Sequence, residues 1–447
     1  MHTFLSFVKT LFLSPVTKPI LIAQNIIQQP DKAYPVVDFL KGLSVLMVIL
    51  FHVFFAVFFL FKKDVDKLNA FIETIPTELS FILAFDKAVD IFFMLSSFLL
   101  SYGLLKVYSK KQTIGIRRFY LHRFFRIYPL FLVALLLYGL ADLDKLIKDG
   151  WYSLLFIENI FSKGIIPVQW SLSIEVQFYL LLPFLILFIA KSQHPIKWLL
   201  FLTGLSVLMR FALAYQTPEI YQTHWIAALN QPVGKVYMDT MYYVMETRLT
   251  PLILGMLWAV ILWRYPTKKI TVSKIQNLIL WGIALTLIYW TLRFPVYHAQ
   301  SPFYLEFNET LNLAIITLHR VIFSGALLGL ILLSHYQISH STRNPLTQWK
   351  GWRLLSEVAY PMYFFHFPFI ALAWVIVLGT VDPKTITEVS LYNIPLVFLL
   401  ALFFTLYLSL WLNFLVEARF IRIGKQIETK WFGGHNEPRN SLKQTKT

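Results

Sequence analysis

The 447-residue sequence contains no cysteine. This absence excludes disulfide bonds, thiol nucleophiles and iron–sulfur clusters held by thiolates. Charged residues are also scarce, at 14% of the chain, while 57% of it is hydrophobic and 17% aromatic. A water-soluble domain needs more charge than this to cover its surface. The composition therefore predicts a membrane protein.

Ten apolar stretches are long enough to cross about 30 Å of hydrocarbon as helices. An aromatic segment at 141–168 favours an interfacial helix over another crossing. No soluble block is large enough to fold alone, so we expect an all-α fold, a polytopic transmembrane helix bundle. The ten stretches lie near 36–61, 79–105, 127–140, 169–190, 196–214, 245–263, 277–292, 311–333, 354–379 and 393–416.

Lysine and arginine are unevenly distributed among the loops. If the N-terminus is inside, the inner segments hold 26 of these residues and the outer segments hold 9. Cytoplasmic loops next to membrane helices keep such an excess, so both termini are expected in the cytoplasm. The net charge of +16 does not predict a nucleic-acid partner, because the basic residues are not concentrated in one soluble region.

Three regions follow from this pattern: an N-terminal interfacial segment at 1–35, a transmembrane domain at 36–416 and a cytoplasmic tail at 417–447. The first segment has a short apolar stretch but no convincing cleavage site. We expect it to be retained, with Lys9 and Lys18 at lipid headgroups. A cleaved signal peptide is the alternative.

Several ionisable side chains lie inside the apolar stretches or at their ends. A charge within a span is costly unless it faces a cavity or a partner, so these residues are functional candidates. They are Asp38, Lys41 and His52 in the first span, Asp90 in the second, Arg123 and Arg126 before the third, Glu175 in the fourth, Arg248 at the sixth and His366 in the ninth.

The depths of these residues follow from the helical rise of 1.5 Å per residue. His52 lies about 13 Å, and Glu175 about 9 Å, from the outer ends of their spans, so the two side chains are predicted to meet. Lys41, Arg123 and Arg126 gather at the cytoplasmic face instead. Three cations on adjoining helices would form a site for a phosphate-bearing molecule.

Four motifs carry a resemblance to a known family. The chain resembles membrane acyltransferase family 3, which includes bacterial O-antigen acetylases, and the motifs appear in family order across nearly the whole chain. They are Lys41 and His52 with ten residues between them, Arg123-x-x-Arg126 followed by Pro129, the run from Trp170 to Glu175 continuing to Phe178, Tyr179 and Pro183, and the segment with Tyr360, Tyr363 and His366.

The sequence departs from the family pattern at three positions. Lys41 stands where the family usually has arginine, and lysine keeps the charge but not the bidentate phosphate geometry. Ala88 and Ser97 stand where the family often has glycine, so local helix packing is expected to differ. The chain resembles the stand-alone form of the family, without a fused esterase-like domain.

The resemblance implies an acyl-CoA-dependent O-acyltransferase, transferring groups other than amino-acyl groups, in the bacterial inner membrane. Acetyl-CoA is the expected co-substrate, no metal is expected, and the acceptor is a surface glycan or lipid-linked saccharide. A base must take the acceptor proton, which suits His52, and Glu175 would orient its ring, with Asp38 as the weaker candidate. Lys41, Arg123 and Arg126 would contact the nucleotide end of acyl-CoA. Contacts to substrate or structural support are expected from Asp38, Asp90, Trp170, Ser171, Arg248, Tyr363 and His366.

Other interpretations remain open at this point. The two arginines before the third span also fit the ordinary basic bias of inner loops, and Asp90 and Arg248 fit helix pairing. A secondary transporter or flippase would use the buried histidine and acids as a proton relay. Such proteins tend to have inverted repeats with broken helices, and the sequence shows neither. A receptor or scaffold is disfavoured by the short loops.

Overall fold

The computed structural model describes residues 17–29, 34–61, 64–161, 164–223, 233–267, 273–294, 307–337 and 345–433. All regular elements within these ranges are helical. Ten of the helical segments are long and apolar enough to cross a membrane, which confirms the predicted fold class. Their helices are α1 Pro35–Leu60, α2 Ala88–Lys111, α3 Ile116–Gly139, α4 Gln169–Lys191, α5 Pro195–Tyr215, α6 Leu249–Arg264, α7 Lys274–Leu292, α8 Glu309–Gln337, α9 Ala359–Leu378 and α10 Asn393–Leu412.

Shorter helical segments connect these ten helices. Tight 3₁₀ turns lead directly into α2 and α6, so the chain enters both helices without a flexible loop. Two short helices form the connection at 141–168, where an interfacial helix was predicted. The shorter segments include Val65–Glu73, Thr77–Lys87, Leu143–Leu154, Glu158–Phe161, Pro218–Tyr221, Val233–Tyr237, Met238–Tyr242, Met245–Arg248, Lys350–Glu357 and Ala418–Phe432.

The third helix is longer than its apolar stretch. Hydropathy predicts a span at 127–140, whereas α3 begins at Ile116 and includes the whole basic run. The basic side chains are accommodated by acidic partners near the C-terminus: Arg126 pairs with Glu417, and His122 lies 2.7 Å from Glu428. These partners let a helix continue through residues that lower its mean hydropathy.

The C-terminal helix Ala418–Phe432 packs along α3. A Cβ atom on Gly424 would lie 2.9 Å from Phe125, so the two helices are in close contact there. At the other end of the chain, Lys18 lies over the ring of Trp411, 5.6 Å from its centroid. Residues 1–16 and 434–447 of the predicted terminal segments, including Lys9, lie outside the described residues.

Two large apolar clusters form the interior of the bundle. One joins α2, α3, α4 and α6, and the other joins α10 and the short helix Val65–Glu73. Both α1 and α9 contribute to each cluster. In α1, Val48 belongs to the first cluster and Val53 to the second. In α9, Phe364 belongs to the first cluster and Trp374 to the second. The two helices therefore lie between the clusters.

The closest helix contact in the first cluster joins α2 to α6. A Cβ atom on Gly255 would lie 2.3 Å from the carbonyl oxygen of Met94, so only glycine permits this approach. Ser97 donates a hydrogen bond of 2.6 Å to the carbonyl oxygen of Leu252 across the same contact. The contact fixes the start of α2, with Asp90, relative to the start of α6.

Candidate active site

Two histidines from α1 and α9 form a hydrogen-bonded pair. His52 Nδ1 lies 2.9 Å from the carbonyl oxygen of Val48 and 3.1 Å from His366 Nε2. His366 Nδ1 lies 3.2 Å from the carbonyl oxygen of Met362. A carbonyl oxygen only accepts, so each Nδ1 carries the hydrogen of a neutral ring and each Nε2 carries the lone pair. His366 Nε2 then accepts from His52 Nδ1, which leaves the lone pair of His52 Nε2 free.

His52 lines a cavity of about 1150 Å³. No described residue forms a hydrogen bond with its Nε2 atom. The rings of Phe51 and Phe367 flank the imidazole, with centroids 5.0 and 4.5 Å away. The lone pair of Nε2 is therefore available to a molecule in the cavity, and the packed rings hold the imidazole in place.

The cavity has two chemically different walls. One is apolar and comes from the second half of α1 and from the helix Val65–Glu73; its residues include Phe54, Phe55, Phe58, Phe59, Leu68, Phe71 and Ile72. The other wall is polar and aromatic; its residues include Glu158, Asn159, Trp170, Lys235, Asp239, Tyr242 and Tyr243. A ligand that fills this space meets both hydrocarbon and hydrogen-bonding groups.

The structure does not bring Glu175 to His52. The carboxylate of Glu175 accepts a hydrogen bond from Tyr179, which in turn accepts one from Ser96. Helix α4 packs against α2 and α5, whereas α1 packs against α2, α9 and α10. Counting residues along a helix gives depth but not direction around the axis. His366 thus takes the position next to His52 that was expected for Glu175.

The three predicted cations lie close to acidic side chains. Arg126 forms an ion pair with Glu417, which is 1% exposed. Lys41 acts electrostatically on the same carboxylate. Arg123 lies beside Tyr179 and Glu175 and is close enough to Arg126 for the two charges to interact. The structure therefore brings the three cations into one region, beside the acids Glu417, Glu357 and Glu175.

Asp90 and Arg248 belong to a buried charge cluster. Arg248 Nη1 lies 3.2 Å from one carboxylate oxygen of Asp90, and Arg320 Nη1 lies 2.6 Å from the other. Arg320 also pairs with Asp86. Each of these side chains is at most 6% exposed. Buried charges need partners of this kind, so the first role of Asp90 and Arg248 is to hold helices together.

Two members of this cluster, and a neighbouring arginine, lie outside the residues that the sequence singles out. Arg320 and Asp86 were not among its candidates, nor was Arg210, which donates to the carbonyl oxygens of Thr247 and Ile316. A signal was present, because Arg210 and Arg320 lie within the apolar stretches 196–214 and 311–333. The rule for intramembrane charges identifies both of them when it is applied to every span.

The remaining candidates have structural partners. Asp38 accepts a hydrogen bond of 2.7 Å from Ser356. The hydroxyl of Ser171 donates to the carbonyl oxygen of Val168 and lies 2.6 Å from the hydroxyl of Tyr363, which then donates to it. The Tyr363 ring lies 6.1 Å from the His366 ring. Ser171 and Tyr363 thus connect α4 to the helix that carries the second histidine.

Comparison with known proteins agrees with this architecture. The profile of a family described as an acyltransferase domain matches residues 34–414. The peptidoglycan O-acetyltransferase OatA of Listeria monocytogenes is 25% identical over 362 residues, which cover 76% of this chain and 50% of that protein. A putative O-acetyltransferase of Staphylococcus aureus is 27% identical over 193 residues, covering 38% of this chain and 29% of that protein.

A third relative is an uncharacterized protein of Haemophilus influenzae, 26% identical over 212 residues, which cover 43% of this chain and 81% of that protein. The chain thus spans half or less of the length of the two named relatives. No solved structure matches the chain. Since the family profile covers 34–414, nearly all of the membrane bundle, the chain belongs to membrane acyltransferase family 3.

Proposed function

We propose that this protein is an integral membrane O-acyltransferase of the bacterial inner membrane that moves an acetyl group from acetyl-CoA to a hydroxyl of a surface glycan or lipid-linked sugar. His52 carries the proposal, because it lines a cavity of about 1150 Å³ and no described residue forms a hydrogen bond with its Nε2 atom. The family, and the O-acetyltransferase names of two relatives, support the reaction class.

His52 acts as the general base in the proposed reaction. Its Nε2 atom removes the hydroxyl proton while the acceptor oxygen attacks the thioester carbonyl. The new carbon–oxygen bond forms, the carbon–sulfur bond breaks, and the CoA thiolate leaves and takes up the proton from His52. While the imidazole is positively charged, its Nδ1–H donates to Val48 and His366. These hydrogen bonds stabilise the cation during transfer.

The donor is proposed to enter from the end of the bundle that carries Lys41, Arg123 and Arg126. Three cationic side chains in one region suit the phosphates of CoA. Lys41 and His52 are eleven residues apart on α1, or about 16 Å along the axis. A pantetheine arm spans such a distance, so the thioester would reach His52 while the nucleotide stays at the basic end.

The test compares two histidine variants of the full-length protein in lipid nanodiscs. Release of CoA from acetyl-CoA is followed with a thiol reagent, which meets no protein cysteine, and transfer is followed with labelled acetyl groups and glycolipid extract. His52→Ala is expected to lower the transfer rate by about 10²–10⁴-fold, the usual contribution of a general base. His194→Ala, on the exposed turn before α5, is the matched control and should keep full activity.

Two further results bear on the proposal. A folded His52→Ala protein that transfers acetyl at the normal rate would rule out His52 as the base. Labelled acetyl that stays on the acid-quenched protein only when His52 is present would instead indicate a covalent acyl-histidine route. CoA at 100 times its dissociation constant should stabilise the fold by about 2.7 kcal/mol, which a glycan flippase with no CoA site would not show.

A further inference from the structure

The C-terminal helix Ala418–Phe432 continues directly from the last membrane helix. Helix α10 ends at Leu412 and is followed, without a loop, by the π-helical turn Asn413–Glu417 and then by the C-terminal helix. Gly424 is the single buried residue of this 15-residue helix. None of its residues belongs to either of the two large apolar clusters. The helix is therefore a surface element that is attached to one end of the membrane bundle.

One face of the C-terminal helix contacts α3. Gly424 lies against Phe125, and one turn later a carboxylate oxygen of Glu428 lies 2.7 Å from His122 Nε2. The other oxygen of Glu428 lies 3.6 Å from Arg118 Nε. Glu428 is the one acidic residue between Ala418 and Phe432, so the negative charge of the helix is engaged on the face that meets α3.

The outer face of the same helix is basic. At 3.6 residues per turn, Arg419, Arg422 and Lys430 lie within an arc of about 80° on the side away from α3. Lys425 lies at the edge of this arc, and all four side chains are exposed. None of the four forms an ion pair with a described residue. With four cations and one acid, the helix has a net charge of +3 and presents that charge outward.

Exposed aromatic rings accompany these cations. Trp431 is 67% exposed, Phe414 in the preceding π-helical turn is 40% exposed, and Phe124 on the adjoining part of α3 is 50% exposed. Lys18 lies over the ring of Phe414, 5.3 Å from its centroid. Aromatic rings among lysine and arginine side chains are typical of the level of lipid headgroups. Together with the direct connection to α10, they favour a lipid surface over an acidic protein as the partner of the basic face.

We propose that the C-terminal helix is a binding surface for anionic phospholipids, formed by Arg419, Arg422, Lys425 and Lys430. The four side chains donate hydrogen bonds to lipid phosphates, and the negative charge of the lipid surface attracts the helix as a whole. The ion pairs of Glu428 with α3 are partly exposed and therefore contribute little. The lipid surface thus holds the outer face of a helix whose inner face is held only weakly. This binding does not depend on acyl transfer.

A spin label on the helix tests the proposal in the full-length protein. Because the chain has no native cysteine, Thr429→Cys, an exposed position between the basic side chains, takes the label selectively. Collisions of the label with an uncharged nickel chelate in water are measured by electron paramagnetic resonance in nanodiscs of phosphatidylcholine, with or without about 30% phosphatidylglycerol. The anionic lipid should lower the collision rate at least about twofold. This decrease should disappear at about 0.5 M salt, because salt screens the attraction.

Two triple variants of the labelled protein separate the helix from the charge of the whole chain. The first combines Arg419→Gln, Arg422→Gln and Lys430→Gln, which leaves Glu428 and the face that meets α3 in place, and it should lose the effect of phosphatidylglycerol. The matched control removes three exposed lysines from other segments and should keep the full effect. It combines Lys67→Gln, Lys148→Gln and Lys384→Gln.

Equal collision rates in neutral and anionic nanodiscs would overturn the proposal and would favour a protein partner for the basic face. An effect of phosphatidylglycerol that survives in the first variant, or that is lost in the control, would also overturn it. Soluble glycerol phosphate is added to the neutral nanodiscs as a further probe. Protection of the label by this compound would show a site for free phosphate instead of a lipid surface. No step of the experiment uses acetyl-CoA, so its outcome is independent of the proposed enzyme function.

Discussion

The pair of histidines gives the sharpest prediction about the reaction. Replacing His366 with leucine keeps most of the side-chain volume but removes the Nε2 acceptor 3.1 Å from His52. His52 Nδ1 keeps the carbonyl oxygen of Val48 at 2.9 Å as its other acceptor. A hydrogen bond to a charged group contributes about 1.5–3 kcal/mol. Because one acceptor remains, we take the lower figure, which corresponds to about a tenfold loss in rate.

The assay separates a positioning role from a packing role. The hydrogen bond from His52 to His366 becomes stronger only when His52 is positively charged during transfer. His366→Leu should therefore lower kcat and leave the KM for acetyl-CoA nearly unchanged. His366→Gln places an amide oxygen near the lost acceptor and should recover most of the rate. The reasoning is refuted if the leucine variant turns over at the wild-type rate, or if glutamine is as damaging as leucine in a protein of normal thermal stability.

Three predictions concern the fold. Arg320→Ala removes the cation paired with buried Asp86 and one of the two cations paired with buried Asp90. It should lower the free energy of unfolding by roughly 3–5 kcal/mol, measured by thermal melting followed through tryptophan fluorescence; an unchanged midpoint would contradict the ion-pair assignment. Gly255→Ala should destabilise by about 1–3 kcal/mol through overpacking, whereas Gly204→Ala, with open space around its Cα, should not. Because the chain has no native cysteine, a single introduced cysteine can be labelled selectively with an impermeant thiol reagent added to intact cells. Ile147→Cys, expected on the outer side, should react, and Gln193→Cys, expected on the cytoplasmic side, should not. The reverse pattern would show that the orientation is inverted.

Hydropathy predicted the ten spans because the cost of placing polar groups in hydrocarbon is large and additive along a helix. Hydropathy places the start of α3 too late, because basic side chains in its first half pair with acids from a distant part of the chain. Arg126 pairs with Glu417, which follows the last apolar stretch and belongs to the predicted cytoplasmic tail. No local property of either segment reveals such a partner.

The candidate site was predictable in its composition but not in its contacts. His52 and His366 were both identified, and yet the expected partner of His52 was Glu175, since the two residues have similar depths. Depth follows from residue counts, whereas neighbours depend on the direction in which each helix faces, and that is set by packing across the bundle. Glu158 was missed because it lies in a connection, where an acidic residue is ordinary until the fold buries it.

The position of α1 and α9 between the two apolar clusters has a consequence for movement during a reaction cycle. His52 and His366 belong to the helices that both clusters share, while Trp170 is part of the first cluster and Phe54 of the second. A small sliding of one cluster against the other would therefore change the width of the cavity and the separation of the imidazoles together. Filling the cavity and positioning the two histidines would then be a single mechanical event.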